Sequence, residues 1–357
     1  MFDAETGDSR RNAALSTSHA VRQQQRRRLA EFAKPSARTA IIQLVNTGLP
    51  LLACFAGLVV GFHQAFWIAL LLVPPAALLV VRLFMIQHDC GHGSFFKSRR
   101  ANDALGWIVG MVTLLPYTAW RDDHAVHHAS SGNLDRRGTG DVTVLTVREY
   151  LARSPWRRRL YRLYRHPLVF FSVGPVYLML VRYRIPTANP LRHWREWLSI
   201  LGTNAAAGLL AAGLVLTVGF TALLLAYLPV LLLATGIGVW LFYIQHQFEE
   251  TYWETGDAWD VHTAAVEGSS FYDLPGVLRW LTASIGFHHI HHLASHIPNY
   301  RLRACFEQVR ELQDAKRLTL TDSFKCLRLA LWDEERRRLV SFRDALWRTH
   351  AGASGRA

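Results

Sequence analysis

Cysteine is scarce. The chain of 357 residues holds four, Cys54, Cys90, Cys305 and Cys326, and none forms a C-x-x-C pair. That excludes a disulfide framework and fits a reducing compartment. Charge is missing over long runs. Residues 40–62, 65–81 and 197–248 contain no Asp, Glu, Lys or Arg. Acidic residues are outnumbered, 27 against 40 basic, for a net charge of +13. A basic balance raises nucleic acid as a partner. No nucleic-acid module is present, however, and the arginines flank apolar runs, so nucleic acid is excluded. The N-terminus lacks the short apolar core followed by small residues that marks a cleavable signal peptide. Internal repeats and low-complexity segments are also absent.

Half of the chain is hydrophobic. Long apolar spans with basic flanks read as an integral membrane protein. Residues 40–62 are long enough to span a bilayer. The run 65–81 continues to about Gln87 if Arg82 snorkels, and Gly61 to Gln64 serves as the connection. Residues 197–248 make two more spans, with a turn near Gly219 to Thr221. The expected fold is therefore all-α, with four transmembrane helices. The two turns carry no Lys or Arg, whereas the N-terminus, residues 82–196 and the C-terminus carry the positive charge. The positive-inside rule puts all three in the cytoplasm, as a helical cap.

The apolar segments 104–119 and 166–181 are too short for spans and read as interfacial or re-entrant. The arginine-rich stretch 145–165, with Trp156, Tyr161 and Tyr164, reads either as a headgroup surface or as a solvated basic helix. Residues 1–38 read as a mobile or membrane-surface basic tail. The core domain is expected over 39–310. A C-terminal cytoplasmic tail follows over 311–357, with helical spacing in 303–317 and 322–348 and a frayed end after Thr349.

Histidine is where the chemistry lies. His288, His291 and His292 form H-x-x-H-H, and His124, His127 and His128 repeat that spacing. His88 and His92 form H-x-x-x-H, with Gly91 and Gly93 loosening the backbone beside them. On a helix, positions i, i+3 and i+4 share one face, so each box aims two or three imidazoles at one point. So many imidazoles exceed what one four-coordinate ion takes and suit two transition-metal ions. All three boxes fall just beyond expected span ends on one side. His246, at the end of the last span, is a ninth candidate. His289 sits at the wrong helical angle and is left out. Asp89, Asp123 and Asp141 are close enough in sequence to accept the outward N–H of a ligating imidazole. Imidazole alone does not choose among Zn, Cu, Fe and Ni. A site at helix ends beneath an apolar bundle points to a lipid substrate, and attack on an alkyl chain calls for redox metal chemistry.

The segments H-D-C-G-H-G-S-F (88–95), H-A-V-H-H (124–128) and H-H-I-H-H (288–292) resemble the histidine boxes of membrane fatty acid desaturases. The stretches 131–135 (S-G-N-L-D), 245–249 (Q-H-Q-F-E) and 297–303 (I-P-N-Y-R-L-R) are similar to the bacterial and plastid omega-6 (delta-12) branch. The resemblance implies a bacterial inner-membrane enzyme. Its two iron ions would be held by His88, His92, His124, His127, His128, His246, His288, His291 and His292. It also implies dioxygen, an acyl-lipid substrate, and two electrons from a separate carrier such as ferredoxin. Two hydrogens would leave adjacent methylenes to give a cis double bond. One departure is His296, where relatives often have an arginine, which bears on headgroup or carrier choice. Related di-iron hydroxylases or ketolases acting on alkanes or carotenoids are the alternative, and an inserted oxygen would distinguish them.

Overall fold

A computed structural model describes residues 21–64, 66–138, 140–186 and 191–346. Helix α1 covers residues 21–30. α2 (Ala37–Gln64) is followed by the short α3 (Phe66–Leu70), and α4 (Val73–His92) folds back along α2. The turn therefore falls later than Gly61–Gln64, which are helical. Pro74 and Pro75 lie in the first turn of α4, where a missing N–H costs nothing.

α4 is the central helix of the bundle, packed by α2, by α5 (Arg99–Thr113) and by α6 (Tyr117–Ser130). Its burial explains how it carries polar groups. Arg82 is buried, donates from Nε to Thr47 Oγ1 at 3.0 Å, and also bonds the Trp280 carbonyl. Its guanidinium lies 4.0 Å over the Trp280 ring. Gly93, at φ +70°, ends α4 in the left-handed region. Gly91 does not loosen the backbone. It is helical, and the lack of a side chain leaves room for Trp120, which a methyl group there would meet at 3.1 Å.

The cap begins with β1 (Leu145–Thr146), α7 (Val147–Ala152) and α8 (Pro155–Tyr164). α9 (Gly174–Tyr177) continues at both ends into π-turns, giving one apolar helix from Val169 to Arg182. Two long helices follow, α10 (Trp194–Val218) and α11 (Phe220–His246), broken at Gly219 with φ +84°. Next come α12 (Val261–Glu267), β2 (Phe271–Asp273), α13 (Gly276–Leu281), α14 (His288–Leu293) and α15 (Asn299–Gln308). β3 (Arg317–Thr319), α16 (Leu320–Cys326), β4 (Leu331–Asp333) and β5 (Arg338–Val340) complete the order.

Among the described residues three helices are long and apolar enough to cross a membrane: Ala37–Phe62, Trp194–Val218 and Phe220–His246. At about 1.5 Å per residue each exceeds the ~30 Å hydrocarbon core. α4 is not among them, because its uncharged part ends at Val81.

Two further expectations are corrected. The segment 322–348 is not one helix. After α16 it forms the β4–β5 hairpin, and β4 pairs in parallel with β1. Leu331, Trp332, Leu339 and Val340 are buried there, and short strands satisfy the same apolar spacing. Residues 21–38 are not a loose tail. Leu29 and Phe32 are buried against Phe287, Ile290 and Leu302, and Arg22 pairs with Asp260 at 3.1 Å. The rest of the basic tail and the end after Thr349 lie outside the described residues.

Candidate metal centre

Four helices deliver the histidines. His88 and His92 come from the last turns of α4, and His246 from the last turn of α11. His124, His127 and His128 come from α6, and His288, His291 and His292 from α14. All nine converge, in two groups. His88, His92, His124, His128 and His291 form one, and His127, His246, His288 and His292 form the other. Within each group one nitrogen per residue lies within 4.8 Å of the others.

Each H-x-x-H-H box is divided in the same way. Its i and i+4 members go to one group and its i+3 member to the other. At 100° per residue, i and i+4 differ by about 40°, while i+3 points about 60–100° away from both. One turn of helix thus serves two centres.

The donor geometry fits metal ions. In the first group the Nε2 atoms of His88 and His124 are 3.0 Å apart, those of His124 and His128 are 3.1 Å apart, and those of His128 and His291 are 3.0 Å apart. In the second group Nε2 of His246 lies 2.9 Å from that of His288 and 3.2 Å from that of His127. Two nitrogens bound at roughly 2.0–2.1 Å to one ion are about 2.8–3.4 Å apart for right-angle to tetrahedral geometry. Hydrogen bonding does not explain the His127–His246 contact. His127 donates its Nδ1–H to Asp141 Oδ1 at 2.5 Å, and His246 donates its own to the Gly268 carbonyl at 3.0 Å. Each then presents a bare Nε2 lone pair to the other, and a cation bound between them would offset the repulsion. His92 Nε2 is buried without any hydrogen-bond partner. Burial, reinforced by neighbouring imidazoles, holds His124, His128, His288, His291 and His292 well below the usual imidazole range. Neutral imidazole is the ligating form.

Of the three aspartates, two meet imidazoles. Asp141 takes His127, and Gly140 before it has φ +69°, where a methyl group would lie 3.0 Å from His127 Cβ. Asp89 Oδ1 lies 3.3 Å from His88 Nδ1, while its Oδ2 accepts the backbone and side-chain N–H groups of Asn299, both at 2.7 Å. Asp123 is corrected. It faces away from the centre and binds Arg182 at 3.0 Å and Tyr183 at 3.2 Å. His289 points away too, with its Nε2 bonded to the Leu312 carbonyl at 3.0 Å. His296 is exposed, and its Nδ1 donates to the His92 carbonyl at 3.3 Å.

Sequence reasoning missed the flanking groups. Trp120 stacks on His124 with ring centres 4.7 Å apart, and Phe242 lies 5.0 Å from His127 and 5.3 Å from His246. Each stands four residues before a ligand on the same helix, a signal that was available. Asn299 and the Gly268 carbonyl carried no such local signal.

Fold and site together define a helical membrane protein with a nine-histidine cluster compatible with a di-metal site. Residues 64–324 match the fatty acid desaturase family, and the chain belongs to that family. It is 43% identical over 317 residues to a fatty acid desaturase of Bacillus subtilis, covering 89% of this chain and 90% of that one. It is 28% identical to a Synechocystis sn-1 acyl-lipid omega-3 desaturase (ferredoxin), over 70% of this chain and 68% of that one. The chloroplastic omega-6 fatty acid desaturase of Arabidopsis thaliana is 24% identical, over 65% of this chain and 51% of its own. The protein is thus an oxidoreductase acting on acyl chains.

Proposed function

We propose that the protein is an acyl-lipid desaturase that introduces a cis double bond at the delta-12 (omega-6) position. The observation that carries the desaturase reading is the division of nine buried or half-buried imidazoles into two groups beside the ends of α4 and α11. Two iron ions are the proposed occupants, one held by His88, His92, His124, His128 and His291 and one by His127, His246, His288 and His292. When bound, they would supply dioxygen activation and removal of hydrogen from unactivated methylenes. The reaction balances as one acyl chain, one dioxygen, two electrons and two protons giving the alkene and two waters.

The chain's own residues position and dry the site. Asp141 and Asp89 fix the orientation of His127 and His88, so that Nε2 faces inward. Asn299 links Asp89 to α2, since its side-chain oxygen accepts from Gln43 at 3.0 Å. Trp120 and Phe242 present aromatic faces beside the ligands and exclude water. An acyl chain entering from the bilayer would meet the centre at the helix ends, so the position of attack follows from geometry rather than reactivity.

A separate carrier such as ferredoxin is the proposed electron donor. α4 is proposed as a fourth span. Both termini and the site then face the cytoplasm of a bacterial inner membrane. Relatives named for the 12-position, such as the Anabaena variabilis sn-1 oleoyl-lipid 12-desaturase, and the segment 297–303 support the delta-12 assignment.

Expression with a reduced ferredoxin system in a host rich in monounsaturated lipids tests the reading. Gas chromatography with mass spectrometry should show a new diene that is absent with His127→Ala. Hydroxylated lipid would move the protein to the hydroxylase reading, and a diene at another position would overturn the delta-12 assignment.

A further inference from the structure

Helix α8 turns three apolar side chains away from the protein. Trp156, Leu160 and Leu163 are 65%, 46% and 56% exposed. Their i, i+4, i+7 spacing places them in one stripe. The opposite face is locked to the cap. Tyr161 is buried, donates to the Ala330 carbonyl at 2.8 Å and accepts from Leu145 N–H at 3.1 Å. Arg165, also buried, donates to Gln247 at 3.0 Å. The helix therefore cannot roll to hide the stripe.

Arg157 lies on one flank of the stripe and Arg159 on the other, both exposed. Nearby carboxylates are engaged elsewhere: Glu149 by Arg137 at 2.6 Å, and Glu334 by Arg148. An apolar stripe between arginines is the pattern of a helix lying in a membrane interface. The fold puts it beside the bilayer. The apolar helix Val169–Arg182 follows α8 and packs on membrane-crossing α11, with Phe171 and Trp240 ring centres 5.1 Å apart. Leu168, just before that helix, and Val173 and Leu180 on it are exposed as well.

Alongside the stripe lies an open pocket, nearer a surface groove than an enclosed cavity, lined by Thr143, Arg153, Arg157, Leu160, Tyr161 and Tyr164. Two guanidinium groups suit a phosphate, and Leu160 on the rim suits the acyl chain beside it. An acidic carrier protein would match the arginines by charge but not the apolar Trp156–Leu160–Leu163 stripe between them.

We propose that α8 lies in the membrane interface and that the Arg153–Arg157 pocket binds the phosphate headgroup of an anionic phospholipid. The inference rests on the membrane placement of α11 and is independent of the reaction catalysed.

The test uses the full chain in nanodiscs of phosphatidylcholine with and without phosphatidylglycerol. Fluorescence from Trp156, taken as the difference between wild type and Trp156→Phe, should be quenched by brominated acyl chains and spared by aqueous acrylamide. Phosphatidylglycerol retained through purification, counted by mass spectrometry, should fall at least tenfold in Arg153→Gln/Arg157→Gln, about fivefold for each basic residue lost at the surface. Metal content in that variant should stay unchanged. Quenching by acrylamide with no effect of brominated lipid would overturn the interfacial placement. Equal lipid retention in the variant would overturn the headgroup site. Protection of Trp156 by a soluble acidic iron–sulfur protein would assign the surface to a carrier instead.

Discussion

At the residue scale the aspartates separate ligand support from surface pairing. Asp141 and Asp123 are both in or beside α6 by sequence, yet one carboxylate holds His127 and the other holds Arg182 and Tyr183. Asp141→Asn keeps the shape but removes the charge that fixes the His127 tautomer. Metal affinity of the His127 group should fall by about 10–100-fold. Asp123→Asn should leave it unchanged. Metal content by plasma mass spectrometry across a series of chelator concentrations separates the two, and equal losses would show that Asp123 supports the centre after all. The boxes themselves were legible here, because helical spacing is local. The choice among three nearby carboxylates was not, because direction depends on where α6 ends and how the following loop turns at Gly140.

At the element scale, α5 and α6 approach closely enough to need a glycine. A methyl group at Gly106 would lie 2.3 Å from the Tyr117 ring. The Tyr117 hydroxyl in turn donates to the Cys90 carbonyl at 2.8 Å, in the last turn of α4. Gly106→Ala should therefore destabilise the bundle by about 1–3 kcal/mol and loosen the α4–α6 contact that sets His88 against His124. Thermal unfolding in detergent would register the loss, and an unchanged melting temperature would show that the contact has room to give. The long uncharged helices were readable from composition. The β4–β5 hairpin was not, since three-residue strands carry too little periodicity to compete with a helical reading. The docking of α1 was equally hidden, because two apolar residues, Leu29 and Phe32, barely stand out in a basic tail.

At the scale of the whole molecule, five ligating imidazoles outside the spans are held neutral by burial and by each other. Their folded pKa values are depressed, so the metal-free folded state binds fewer protons than the unfolded chain. Stability from this source is fully present above the unfolded value of about 6.5 and is lost as pH falls below it. Metal-stripped protein should melt at a lower temperature near pH 5.5 than near pH 7.5, the two lying on either side of that value. Adding ferrous iron near pH 7.5 should raise the melting temperature, because an ion that binds only the folded state stabilises it. A metal-free melting temperature that rises on acidification would contradict the sign.

The sequence by itself determined the histidine inventory, three apolar spans and the family resemblance, because each is written in spacing along one helix or one run. Even the division of each box into i/i+4 and i+3 members follows from the helical angle. What tertiary structure alone decided is which divided members share a group. His291 joins His124 and His128, while His127 joins His288 and His292, because α6 and α14 face each other across the ends of α4 and α11. It also decided that His246 completes the second group rather than the first, and that Asn299 holds Asp89 from 210 residues away. Such contacts depend on how helices pack, and no local pattern records that.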